Sequence, residues 1–357
     1  MLLEIVWNVD PEIFSIFGRG IRWYGLLFAL SFIVGQYVLN WAYPRDDVKL
    51  ILVEKSAIYI IIGTILGARL GHVFFYEPSY YLSHPSEILQ VWKGGLASHG
   101  AGFGLFLACY LYFRKYKKEL PSYLWVLDKV VLVVAIAGAL IRFGNFMNSE
   151  IVGKPTNSPT AVLFANPVEY QYESDNFITD VTLTPNGNYI NRNNIEHPEY
   201  EINFTFHPSV DSASIKRHLI KNIIPQLTKP SSDQHFIPIA GTTITTKGKH
   251  TYAIQAMGVP RHPAQLYEAF SCVLLFLLLM YLNKNRILPQ GGLFGVFMIW
   301  VFTLRFFYEF IKENQVNWEN ANILNQGQKL SVPMVILGIA VLIYAYINQK
   351  KLASKNK

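Results

Sequence analysis

Long apolar runs recur along this chain and are separated by short hydrophilic gaps. A helix needs roughly 20 predominantly apolar residues to cross the hydrocarbon core of a bilayer. About seven runs fit that length and pattern, and they fall near residues 21–41, 56–76, 98–113, 124–146, 264–283, 291–311 and 331–348. The pattern therefore predicts an all-α polytopic membrane protein with about seven transmembrane helices.

One gap, from about residue 147 to 262, is far longer than the others. It is polar, of mixed charge and too long for a structureless loop in a compact protein. We therefore expect a folded extracytoplasmic head between spans four and five. The predicted organisation is residues 1–146 for spans one to four with a short N-terminal outer segment, 147–262 for the head, and 263–357 for spans five to seven with a basic tail.

Local patterns inside the gap predict that the head is mixed α/β. Residues 200–206, YEINFTF, alternate polar and apolar side chains, which is typical of a half-buried strand. Asn186-Gly187 predicts a hairpin turn. Residues 212–224 predict one amphipathic helix that Pro225 ends. The apolar face of that helix is formed by Ile215, Leu219 and Ile223.

Basic residues are concentrated in alternate gaps, which predicts the cytoplasmic side of the membrane. The N-terminus and the head are then outside, and the C-terminus is cytoplasmic. The residues that carry this prediction are Arg45, Lys49, Lys55, Arg114, Lys115, Lys117, Lys118, Lys284, Arg286, Lys350, Lys351, Lys355 and Lys357.

Composition supports the membrane assignment, because 51% of the residues are apolar and only 15% are charged. A typical soluble domain has about 25% charged residues. The net charge of +7 follows from the basic gaps, so we expect no nucleic-acid partner. Cys109 and Cys272 lie inside apolar runs, and His72, His99 and His262 are scattered. The sequence therefore predicts no disulfide framework and no metal or cofactor.

Ionisable residues within the spans gather toward the outward-facing ends. Each costs at least about 2.5 kcal/mol to insert, so each requires a partner or a function. Any one of them could snorkel to the headgroups or form a structural ion pair. Their convergence from five spans instead favours an anion site, because arginine suits a phosphate diester such as a phospholipid headgroup. The residues are Arg69, His99, Arg142, Glu268, Arg305 and Glu309.

Two polar clusters flank the predicted head. Residues 141–156, IRFGNFMNSEIVGKPT, carry more polar groups than the end of a helix with glycine caps requires. Residues 261–268, RHPAQLYE, lead into the fifth span. His99 lies in a glycine-rich stretch that permits close backbone approach, and it is either a helix cap or a base for a bound thiol.

The chain resembles the bacterial prolipoprotein diacylglyceryl transferases at this point. The most specific match is RFGNFMNSEIVG, from Arg142 to Gly153, called the signature segment below. It resembles the family pattern of Arg, any residue, Gly-Asn-Phe, and then Asn, Glu and Gly at fixed spacing. Further matches are DPEIFSI at 10–16, RWYG at 22–25, GARLG at 67–71, SHGAG at 98–102, RHPAQLYE, LRFFYEF at 304–310 and QGQKLSVPM at 326–334.

The resemblance implies an enzyme of the bacterial cytoplasmic (inner) membrane. Such an enzyme transfers the diacylglyceryl group of phosphatidylglycerol to the lipobox cysteine of prolipoprotein signal peptides. A thioether forms and glycerol phosphate leaves, as the first step of lipoprotein maturation. The resemblance assigns catalysis to His99, Arg142 and Arg305, and substrate binding to Arg142, Tyr24, Asn145, Glu150, Gly153 and Glu309.

The chain departs from the family pattern at three places. Gly100-Ala101 follows His99 where the family usually has two glycines, and Ile141 stands where it usually has glycine. Residues 157–255 show no clear resemblance and make the head longer than is typical.

Two other classes of function remain open at this stage. Transporters also place polar residues in their spans, but they commonly show internal repeats and midplane sites, and neither is evident in this sequence. A membrane scaffold would account for the large head and would leave the arginines without a purpose.

Overall fold

The computed structural model describes residues 5–16, 19–90, 95, 97–173, 175–229, 234–313 and 324–355. The protein is mostly helical with a sheet-containing region. The α-helices are α1 (Trp23–Ala42), α2 (Ile51–Phe75), α3 (Pro78–Ser83), α4 (Ser98–Lys115), α5 (Tyr123–Met147), α6 (Asn166–Glu173), α7 (Ser212–His218), α8 (Ile224–Thr228), α9 (Ala264–Lys284), α10 (Gly292–Tyr308) and α11 (Gln326–Lys355).

Every predicted apolar run coincides with a helix, which confirms the helical assignment. Five helices in the described part of the chain are long and apolar enough to cross a membrane. They are the helices that begin at Trp23, Ile51, Tyr123, Ala264 and Gln326. Helix α10 is apolar but has only 17 residues, and α4 is made less apolar by its glycines and its two terminal basic residues.

The chain divides into two compact units. The first, called the head unit, consists of residues 1–26, 142–268 and 305–329. The second, called the helical unit, consists of residues 27–141, 269–304 and 330–357.

Glycines allow α2 and α4 of the helical unit to pack at backbone distance. A Cβ atom on Gly67 would lie 2.8 Å from the Cα of Gly104, and one on Gly71 would lie 2.7 Å from the Cα of Gly100. Real Cβ atoms do not approach other atoms so closely. The spacing is the small-xxx-small pattern of membrane helix pairs. Gly100 and Gly104 thus serve helix packing, whereas a Cβ atom on Gly102 would meet nothing within 4 Å.

Arg69 is bound by the backbone of its own unit rather than presented to an anion. Its side chain is almost fully buried, donates to the carbonyls of Glu87 at 2.7 Å and Ile88 at 2.8 Å, and lies over the ring of Tyr81. The expectation that Arg69 belongs to the anion site is therefore wrong. Its guanidinium fixes the segment after α3.

Two adjacent charges inside α5 are also satisfied within the helical unit. The Asp128 carboxylate accepts hydrogen bonds from the backbone N–H groups of Gly291 and Phe294 at 2.6 and 2.8 Å, so it caps the start of α10. Lys129 pairs with Asp46 at 2.5 Å. These contacts explain how a charged pair can lie in the fourth apolar run without ending the helix.

The head unit contains a mixed α/β region, as the alternation of YEINFTF predicts. Its main sheet has the order β5-β6-β9-β7, all neighbours antiparallel, and β8 pairs with β9. The strands are β1 (Ile5–Trp7), β2 (Glu12–Ile16), β3 (Arg19–Arg22), β4 (Val162–Phe164), β5 (Ile178–Arg192), β6 (Ile195–Phe206), β7 (Phe236–Pro238), β8 (Thr245–Thr246) and β9 (Thr251–Gly258). Alternate side chains Ile202, Phe204 and Phe206 of β6 are buried in the core.

The predicted hairpin turn is wrong. The β5–β6 hairpin turns at Asn193 and Asn194, whose φ angles of 54° and 61° suit a two-residue loop with both residues left-handed. Asn186 and Gly187 lie inside β5 at a register shift, and Gly187 has φ +82°. Asparagine and glycine signal a left-handed backbone, which a bulge requires as much as a turn does.

The predicted amphipathic helix is present, but Pro225 does not end it. Helix α7 continues through a π-helical segment, Leu219–Ile223, into α8, which contains Pro225 in its first turn. A proline is tolerated there because its missing N–H is not needed in a first turn. The apolar face is buried as predicted, with Ile215, Leu219 and Ile223 at most 1% exposed.

Candidate active site

Arg142 lies near the end of α5, where the signature segment begins. Its Nε is 2.5 Å from Oε2 of Glu268 at the start of α9, and its Nη1 donates to Oδ1 of Asn145 at 3.4 Å. The Arg142 side chain is 29% exposed and that of Glu268 only 11%. A buried carboxylate thus holds one edge of the guanidinium while the rest stays accessible.

The signature segment leaves the helix in a sharp turn in which Ser149 and Ile151 have positive φ angles. Within this turn the Glu150 carboxylate accepts hydrogen bonds from Asn145 at 3.3 Å and Asn148 at 3.1 Å. Glu150 therefore acts on Arg142 through Asn145. The carboxylate that contacts Arg142 directly belongs to Glu268.

Glu268 has a second cationic partner in Lys312, whose Nζ contacts Oε1 of the same carboxylate. Burial lowers the pKa of Lys312, and the Glu268 charge opposes that shift. The sequence predicts Glu268 only as one of the ionisable residues near the outward-facing ends of the spans and as part of RHPAQLYE, and it predicts no role for Lys312. Their separation of 44 positions gives no local pattern that would pair them.

Arg305 and Glu309 form a second pair at the end of α10. Nε of Arg305 is 3.9 Å from Oε1 of Glu309, the i,i+4 partner that the sequence indicates. Oε2 of Glu309 accepts a hydrogen bond from Nδ2 of Asn325 at 2.8 Å. Lys312 lies within Coulombic range of Arg142 and of Glu309, so it connects the Arg142–Glu268 pair with the Arg305–Glu309 pair. We call Arg142, Glu268, Arg305, Glu309 and Lys312 the arginine cluster.

Gly153 lies where three chain segments meet. Its N–H donates to the carbonyl of His262 at 2.9 Å, and its own carbonyl accepts from Nη1 of Arg261 at 3.1 Å. A Cβ atom at this position would lie 2.7 Å from the His262 carbonyl oxygen and 2.9 Å from that of Ile311. Gly153 thus permits close approach of backbones that carry the site residues. Arg261, only 3% exposed, was not predicted.

Tyr24 and His99 occupy the first turns of two helices. Tyr24 belongs to the head unit and is within Coulombic range of Glu150 and Arg142. His99 is exposed in the first turn of α4 and belongs to the helical unit. The head unit accordingly brings together all the predicted site residues except His99.

The arginine cluster has the chemistry of an anion site. Arginine binds phosphate and carboxylate oxygens through several N–H donors in a fixed plane, and a carboxylate on its Nε edge restrains that plane. Among the described residues, no group of three or more His, Cys, Asp or Glu side chains is placed to hold a metal ion.

The chain matches a family model described as "Prolipoprotein diacylglyceryl transferase" over residues 11–344. Three relatives named phosphatidylglycerol–prolipoprotein diacylglyceryl transferase match over nearly their whole lengths. The protein from Porphyromonas gingivalis is 34% identical, covering 96% of this chain and 95% of the relative. Those from Chloroherpeton thalassium and Tolumonas auensis are 33% and 31% identical, covering 98% and 95% of this chain and 96% of each relative.

Proposed function

The chain belongs to the prolipoprotein diacylglyceryl transferase family, a family of transferases, and we propose that it acts on phosphatidylglycerol and on prolipoproteins. In the proposed reaction the diacylglyceryl group moves to the thiol of the lipobox cysteine. The products are a thioether-linked prolipoprotein and glycerol phosphate. The reaction is the first step of bacterial lipoprotein maturation.

One observation carries this proposal beyond family membership. Arg142, at the start of the signature segment, is held at its Nε by the buried Glu268 carboxylate and remains partly exposed. A restrained, accessible guanidinium at the end of an apolar helix suits the phosphate of a lipid headgroup.

The proposed chemical step is a displacement at the carbon of the diacylglyceryl group that is bonded to the phosphate oxygen. The cysteine sulfur forms a bond to that carbon while the bond between the carbon and the phosphate oxygen breaks. The electron pair of the broken bond leaves with glycerol phosphate. The thiol proton passes to His99, whose ordinary pKa of about 6.5 is closer to neutrality than that of a thiol, about 8.5. Arg142 and Arg305 stabilise the charge on the departing phosphate, an effect worth about 3 kcal/mol per well-placed donor.

The remaining predicted residues orient these groups in the proposed mechanism. Asn145 and Tyr24 supply hydrogen bonds to the headgroup or the peptide. Glu309 orients Arg305, and Glu150 orients Arg142 by way of Asn145, in keeping with their contacts. Gly153 lets the signature segment pack closely against the backbones of His262 and Ile311.

We also propose a topology of seven spans in the bacterial cytoplasmic membrane, with the N-terminus and the head outside and the C-terminus inside. The five long apolar helices support a multi-pass protein, and the basic gaps support the orientation. The proposed boundaries are residues 1–146, 147–262 and 263–357. Lys357 lies outside the described residues.

Purified protein supplied with phosphatidylglycerol and a lipobox peptide tests the function by mass spectrometry. We expect the peptide to gain the mass of one diacylglyceryl group. A control peptide with serine in place of the cysteine is expected to gain no mass. If the cysteine peptide stays unmodified in the presence of intact lipid, the enzyme assignment fails. Movement of unmodified lipid or solute across the membrane would then favour the transporter alternative.

A further inference from the structure

We propose that Glu268 is a positioning residue that holds Arg142 and Lys312 together, and that Lys312 is a further cation for the phosphate of the lipid substrate, beside Arg142 and Arg305. This inference rests on the proposed function. It gives Glu268 a specific role, as the carboxylate that positions Arg142, and it adds Lys312 to the site.

Both oxygens of the Glu268 carboxylate contact a cation. One carboxylate oxygen is 2.5 Å from Nε of Arg142, and the other contacts Nζ of Lys312. The Glu268 side chain is 11% exposed, so these contacts are shielded from competing water. One buried carboxylate thus fixes two cations that arrive from different parts of the chain, the end of α5 and the segment after α10.

Glu268 occupies the Nε edge of the Arg142 guanidinium. A guanidinium has five N–H donors, and Glu268 takes the one on Nε. Asn145 takes one more at a long distance of 3.4 Å. The contacts among the described residues therefore leave donors on the terminal nitrogens for a bidentate contact with phosphate, and Glu268 determines the plane in which they point.

The arginine cluster carries a net positive charge for an incoming phosphate. Its three cations are Arg142, Arg305 and Lys312, and its two carboxylates are Glu268 and Glu309. The groups that face Lys312 are Glu268 from α9, Arg142 from α5 and Glu309 from the segment after α10. Without the Glu268 charge, burial and the nearby Arg142 would both favour loss of the Lys312 proton.

A purely structural role for Glu268 predicts a different outcome from a positioning role. Loss of a structural ion pair lowers thermal stability and scales the rate equally at every pH. Loss of a positioning carboxylate instead moves the alkaline side of the pH profile to lower pH, because Lys312 becomes neutral sooner. It also raises the KM for phosphatidylglycerol, because the charge of one of the three proposed phosphate-binding cations, Lys312, is lost.

The test measures kcat and KM for phosphatidylglycerol from about pH 6 to about pH 10, a range that reaches the ordinary lysine pKa of about 10.4. The variants are Glu268→Gln, Lys312→Met, Lys312→Arg and the double variant Glu268→Gln with Lys312→Arg. The matched control is Glu201→Gln, which removes a carboxylate paired with Lys247 at 2.9 Å in the head sheet. Melting temperature and binding of phosphatidylglycerol are measured for each variant.

For Glu268→Gln we expect kcat/KM to fall about 100-fold, since misplacing a reacting group by about 1 Å can have that effect. The alkaline limb moves to lower pH, and Lys312→Arg in the same chain restores it, because a guanidinium stays charged. The Glu201→Gln control keeps the wild-type profile.

Wild-type kcat, KM and pH profile in Glu268→Gln would overturn the inference. A loss of activity with an unmoved alkaline limb that Lys312→Arg does not restore would overturn it as well. An inactive wild type would refute the proposed function instead. In that case, binding of phosphatidylglycerol that is unchanged in Glu268→Gln and Lys312→Met would refute this inference separately.

Discussion

Replacement of Gly153 by alanine perturbs the junction that holds the signature segment. The added Cβ atom would lie 2.7 Å from the His262 carbonyl oxygen and 2.9 Å from that of Ile311. Both atoms belong to the backbone, so neither can move away by rotating a side chain. The signature segment must therefore move away from the backbone of His262, from that of Ile311, or from both.

The free energy of this change follows from the contacts. Overpacking in a tight interior costs about 1–3 kcal/mol. Separation also weakens the hydrogen bond from Gly153 to His262 at 2.9 Å and the bond from Arg261 to Gly153 at 3.1 Å. Each such bond contributes about 1 kcal/mol. If both bonds are lost, we therefore expect Gly153→Ala to lower the free energy of unfolding by about 3–5 kcal/mol in total.

The measurements are the melting temperature in detergent and the rate of diacylglyceryl transfer. We expect a lower melting temperature and, because Glu150 and Asn145 shift with the segment, a rate reduced about 100-fold. Gly248→Ala is the control in the same unit, since its Cβ would meet nothing closer than 3.7 Å. If Gly153→Ala melts and transfers like the wild type, the packing argument is refuted.

Further predictions concern three other features. Replacing both Cys109 and Cys272 by alanine leaves transfer intact, because the nucleophile is the substrate's thiol; complete loss of transfer would contradict this. Gly67→Leu separates α2 from α4 and lowers the melting temperature, because Cβ already lies 2.8 Å from the backbone of Gly104. Burial lowers the pKa of His235 to about 3. The contribution of His235 to the free energy of unfolding is therefore fully present above about pH 6.5 and falls by about 1.4 kcal/mol per pH unit toward pH 3. We expect His235→Gln to reduce the pH dependence of unfolding in this range by that amount, and an unchanged pH dependence would contradict the reasoning.

The helices and the half-buried strand could be predicted because their signals are local. An apolar run of suitable length and a two-residue alternation each report the environment of consecutive residues. The turn of the β5–β6 hairpin was misplaced because two sites in the same strand pair require a left-handed backbone. Only pairing across the sheet distinguishes the bulge at Gly187 from the turn at Asn193 and Asn194.

The candidate site was predictable in part for the same reason. The i,i+4 spacing of Arg305 and Glu309 shows their pairing directly. The partner of Arg142 was not predictable, because Glu268 is 126 positions away and Glu150 is the nearer acidic residue. Arg69 lies near the outward-facing end of an apolar run, as Arg142 and Arg305 do, yet its guanidinium donates hydrogen bonds to backbone carbonyls. The sequence does not show this difference.

The central claim is that this chain couples thioether formation to release of the lipid phosphate at Arg142. The most direct measurement follows glycerol phosphate and modified peptide in one reaction, with wild-type protein and with Arg142→Gln. We predict equal amounts of the two products from the wild type, none without the lipobox peptide, and little of either from Arg142→Gln. Glycerol phosphate release that does not depend on the peptide, or full activity of Arg142→Gln, would contradict the account.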